Sequence, residues 1–119
     1  MAVSIHGTSG LTFNDSTTIT SGVSVSKAWV RFTDTGSTSI SASYNVSSVT
    51  RNGAGDYSVN FSTAMSDNNA CANITAGQWG AVWGLVHIHT INASFVRFIA
   101  TDPAATMQQQ PNACVSVYR

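Results

Sequence analysis

A neutral chain of 119 residues is the size of one domain and has room for one modest hydrophobic core. Only 8% of its residues are charged, against roughly 25% in an ordinary soluble domain; Glu is absent, while Ser, Thr and Asn supply 17, 14 and 9 residues. Lys27, Arg31, Arg51, Arg97 and Arg119 are scattered, and no apolar run nears the ~18 residues of a membrane span, so the composition argues against nucleic-acid binding and against membrane insertion.

The first 26 residues are polar, with short apolar beats at Val3, Ile5, Leu11, Phe13 and Ile19. They read as an extended N-terminal arm or connector whose apolar residues need a partner surface, such as another subunit. No basic stretch followed by an apolar stretch marks a signal peptide there. Residues 27–119 read as one β domain. Ala28, Val30 and Phe32 alternate with Lys27, Trp29 and Arg31, and Ile40, Ala42, Tyr44 and Val46 alternate with Ser39, Ser41, Ser43 and Asn45. A period of two is the mark of half-buried strands. Asn52-Gly53 then predicts a hairpin turn, after which Tyr57, Val59 and Phe61 resume the alternation.

A polar break follows at Ser66–Asn69. Residues 78–91 predict one or two strands, with Trp79 and Trp83 as core residues. Both faces are largely apolar over Ser94–Ala100, as in a strand buried on two sides. Asp102 to Pro111 is a loop with a Gln108-Gln109-Gln110 tract, and Cys114–Tyr118 closes the chain as a last strand. Several short strands joined by turns predict an all-β protein, an antiparallel β-sandwich of jelly-roll-like kind. Cys71 and Cys114 are expected as free, partly buried thiols.

Residues fit for chemistry are few. The five Asp sit mostly where turns place them, and no nucleophile elbow, phosphate loop or zinc motif occurs. His87-Ile88-His89 could turn two imidazoles to one side of a strand, the minority reading being a shared metal ion and the plainer one hydrogen bonding within a sheet. Trp29, on the polar side of its strand between Lys27 and Arg31, suits an intersubunit anchor first and a stacking surface for a sugar ring second. The Ser66–Asn69 and Asp102–Pro111 loops are candidate recognition tips.

The ordered run Lys27-Ala28-Trp29-Val30-Arg31-Phe32, then Ile40–Thr50, Asn52–Phe61 and Ser62–Asn69, closely resembles a C-terminal β-module of bacteriophage tail fibre and minor virion structural proteins. Gly10–Thr18 is similar to a connector found before fibre tips, with Ser16 where glycine is usual. The resemblance covers residues 10–70 and implies a homotrimeric virion protein assembled in the host cytoplasm, with no catalytic residue carried over. It leads to a short tail fibre or fibre tip that binds a host surface glycan or protein, with Trp29, Asp67, Asn68, Asn69, Gln108 and Gln109 as contacts. The rival is a capsid decoration or head-fibre protein with a purely structural role, docked on other virion proteins through residues 1–26. An enzyme acting on surface polysaccharide ranks last, and no cofactor is expected.

Overall fold

The computed structural model describes residues 4–6, 10–12, 18–19, 25–77, 85–102, 104, 106–107 and 112–119, with side chains from residue 25 onward. Among these the chain forms eleven strands and no helix: β1 (Ser4–His6), β2 (Gly10–Thr12), β3 (Thr18–Ile19), β4 (Ala28–Asp34), β5 (Thr38–Tyr44), β6 (Val46–Gly53), β7 (Asp56–Phe61), β8 (Cys71–Ala76), β9 (Leu85–Ile91), β10 (Phe95–Thr101) and β11 (Ala113–Tyr118). The first three make a small antiparallel sheet of their own. The other eight make two four-stranded antiparallel sheets, in the orders β5-β4-β11-β8 and β6-β7-β10-β9, packed face to face as a β-sandwich. The all-β expectation and the sandwich are therefore observed.

Alternation explains the core. Ala28, Val30 and Phe32 of β4 and Val115 and Val117 of β11 face Tyr57, Val59 and Phe61 of β7 and Val96 and Phe98 of β10, all at most 9% exposed. Burying an apolar side chain of this size stabilises the fold by roughly 1.5–3 kcal/mol. At the centre, Phe32 and Tyr57 meet edge to face with ring centroids 5.1 Å apart, and Phe98 lies 5.4 Å from Tyr57.

Three strand expectations need correction. Ile40, Ala42 and Tyr44 do not form one buried face. A bulge between Arg31 and Phe32 in the β4–β5 ladder leaves Ser41 without an opposite number, so Ala42 and Tyr44 lie opposite Arg31 and Trp29 while Ile40 lies opposite Phe32. As β5 is an edge strand, Ile40 and Tyr44 are exposed at 39% and 59%. β10 is central in its sheet, but of its residues up to Ala100 just Val96, Phe98 and Ala100 are buried, with Thr101 buried after them at the strand's end. Phe95, Arg97 and Ile99 face outward and are half-covered by their lateral neighbours. The hairpin turn lies at Ala54-Gly55, not at Asn52-Gly53. Asn52 occupies a bulge, Gly53 pairs with Asp56, and Gly55 takes the left-handed φ of 75° that closes the turn.

The chain changes sheets between β5 and β6 through Asn45 alone, at φ 53°. Its side chain fixes this corner: Nδ2 donates to the carbonyls of Lys27 and Thr63, and Oδ1 accepts from the Thr63 N–H. Asn is among the few non-glycine residues that occupy this backbone region readily.

Candidate functional site

Trp29 projects from the outer face of the β5-β4-β11-β8 sheet and is 41% exposed. Register places two cross-strand rows on that face. One runs Tyr44, Trp29, Ser116, Asn73; the next runs Ala42, Arg31, Cys114, Thr75. Directly opposed side chains in such rows stand about 5 Å apart. Because Ser116 and Cys114 on the middle strand are small, a trough of ≈ 330 Å³ opens between Trp29 and Arg31 on one side and Asn73 and Thr75 on the other.

A second depression, of ≈ 640 Å³, lies at the end of the sandwich, lined by Lys27, Tyr44, Asn45, Thr63, Ala64, Met65, Ser66 and Arg119. Tyr44 joins it to the Trp29 row. Arg119 joins it to the candidate loop, since its guanidinium forms a two-point ion pair with Asp67. That pair, with the Asn69 N–H, holds the Asp67 carboxyl well below the usual carboxylate range. Asn68 accepts from the Ala93 N–H at 2.8 Å and ties the loop to the β9–β10 turn. Asp67 and Asn68 thus anchor their own loop.

Trp29 lines the trough and not the end groove, which the Asp67–Asn69 loop meets through Ser66 and Arg119, so the two do not form one cluster. Gln108 and Gln109 lie outside the described residues, as do Trp79 and Trp83. The segment leading to Gln108 leaves from the opposite end of the sandwich, where Thr101 bridges Met107, while the Asp67 loop sits at the Phe95 end of β10. Seven residues of strand, about 20 Å, separate the two ends.

His87 and His89 each meet a different hydroxyl, Thr101 at 3.4 Å and Thr90 at 2.7 Å. His89 is the extra residue of a bulge between the Thr90–Arg97 and Ile88–Phe98 pairs. Among the described residues no third His, Cys or Asp joins them to make a metal-binding group. Cys71 and Cys114 are free as expected, but exposed where partial burial was expected. Cys114 pairs across the ladder with Thr75 and Cys71 with Tyr118, four residues further along β8, or about 13 Å. No disulfide spans that distance.

One polar cluster escapes a sequence reading that treats each Asp as a turn residue. Asp34 ends β4 fully buried, accepting hydrogen bonds from Tyr57 Oη at 2.7 Å, Arg51 Nε at 2.9 Å and the Gly36 N–H at 2.8 Å. Burial alone would push its carboxyl up; the three donors together hold it below its ordinary value. On the outer face of the second sheet, Arg97 grips both oxygens of Asp56, at 2.9 and 2.7 Å, and lowers that carboxyl against the opposing effect of burial. Arg51, Arg97 and Arg119 are each ion-paired, whereas Arg31 and Lys27 have no ion pair among the described residues.

Comparisons with known protein families, with curated proteins and with solved structures found no match.

Proposed function

We propose that the chain is a non-catalytic bacteriophage virion module, a short tail fibre or fibre tip that binds a host surface receptor as a homotrimer. The observation that carries the reading is the open outer face of the β5-β4-β11-β8 sheet. There Trp29 and Tyr44 are exposed side by side and Arg31 has no ion pair among the described residues, whereas Arg51, Arg97 and Arg119 are all neutralised. An exposed aromatic beside an uncompensated guanidinium is the composition of a binding hot spot. The resemblance of residues 10–70 to fibre modules supports the virion assignment and the trimer. The scarcity of charge supports self-association, because identical copies repel one another little.

Immuno-electron microscopy of intact particles tests the proposal, with label expected at the tail tip. Label over the capsid would overturn the tail-fibre reading in favour of a decoration or head-fibre protein. Light scattering should give three times the chain mass, and a monomer at micromolar concentration removes the trimer.

A further inference from the structure

We infer that the trough between Trp29 and Thr75 binds an acidic saccharide, a hydroxyl-rich ring carrying a carboxylate. This rests on the reading of the chain as a binding module and assigns its ligand class. The trough has three chemically distinct parts. Trp29, 41% exposed, offers an apolar face on which a sugar ring can stack. Arg31, in the neighbouring row on the same strand, presents a fork of donors that no carboxylate among the described residues holds. Asn73, Thr75 and Ser116 on the other two strands supply amide and hydroxyl groups that make no side-chain hydrogen bond among the described residues, so each is free to bond a sugar hydroxyl.

Charge selects the acidic member of the class. None of the four described Asp side chains shares this face. Asp34 is buried, Asp56 is held by Arg97 on the other sheet, Asp67 is held by Arg119 at the sandwich end, and Asp102 accepts from Ala104 and Thr106 in its own loop. Among the described residues the guanidinium therefore has no neutralising partner, and a neutral sugar would supply none. At ≈ 330 Å³ the trough matches the lower end of small-ligand sites, enough for about one or two sugar rings.

The test is retention of the purified full chain on an array of neutral, uronate-bearing and sialate-bearing oligosaccharides, repeated with Trp29→Ala and Arg31→Gln. Both side chains are exposed, so both variants should keep the β-sheet circular dichroism of the parent. Retention is expected on acidic members alone, and which of the two sets is held identifies the carboxylate's source. Each substitution should weaken retention about tenfold or more. The saccharide retained should also slow maleimide labelling of Cys114, in the trough, and leave Cys71 unaffected as an internal control. Equal retention of neutral and acidic members, retention indifferent to both substitutions, or retention of none overturns the proposal. A tail-tip location without saccharide retention would reject the ligand class alone, while a capsid location would reject the reading beneath it.

Discussion

The two outer faces of the sandwich are built from similar residues and finished differently. On the β6-β7-β10-β9 face the polar groups satisfy one another: Arg97 holds Asp56, Asn52 donates to Asp56 and Ser58, and Asn60 donates to Ser48 and Thr50. On the β5-β4-β11-β8 face Trp29, Arg31, Tyr44, Asn73, Thr75 and Ser116 make no side-chain hydrogen bond or ion pair among the described residues. Composition does not distinguish these surfaces, as both are rich in hydroxyls and amides. What differs is whether donors and acceptors fall within reach of each other across the ladder, and the face where they do not has its bonding capacity left for a partner.

Substitutions of graded severity can break or sharpen this contrast. The faces share one core, so Phe98→Ala should cost about 3–5 kcal/mol, seen as a lowered denaturant midpoint, and backbone hydrogen exchange should rise in both sheets in the same transition. Separate transitions would show that the sheets fold independently. Tyr57→Phe removes one donor from the buried Asp34 carboxylate and should cost about 1.5–3 kcal/mol. It should also raise the pH of acid unfolding. Asp34 has a folded pKa below the 3.8 of an unperturbed carboxyl, so its contribution is fully present above that pH and lost as pH falls through the folded value. With fewer donors the folded value moves up, and circular dichroism should follow the shift.

Asn60→Ala, on the self-satisfied face, loses the hydrogen bonds from Nδ2 to Ser48, Thr50 and the Ser58 carbonyl and should cost about 1 kcal/mol in urea unfolding. Trp29→Ala, on the open face, should change stability by less than about 0.5 kcal/mol despite deleting a far larger side chain. If Trp29→Ala costs more than Asn60→Ala, the open face is part of the fold's own stability and the contrast fails.

Local alternation made much of the fold legible. β4, β7 and β11 follow their sequence period and place Trp29 and Arg31 outward. Alternation could not show where it is interrupted. Ser41, Asn52 and His89 are each extra residues in a ladder, and nothing in their neighbours' chemistry marks them as such. The trough was equally hidden, because it needs β11 and β8 beside β4, and those contacts join residues far apart in the chain, such as Cys114 with Thr75 and with Arg31. Asp34 read as a turn residue because its hydrogen bond to Gly36 is a turn contact, while its bonds to Tyr57 and Arg51 depend on the packing of two sheets.

The one-residue corner at Asn45 leaves the chain no slack between sheets. Sliding β5 along β4 would have to be absorbed by β6, whose Val49 is locked in the core opposite Val59. The position of Tyr44 beside Trp29 is thus set from the far side of the molecule. Lengthening the chain at this corner would misalign an exposed aromatic pair without touching either ring, whereas the same insertion in the longer loop from Ser62 to Ala70 would leave the pair in step.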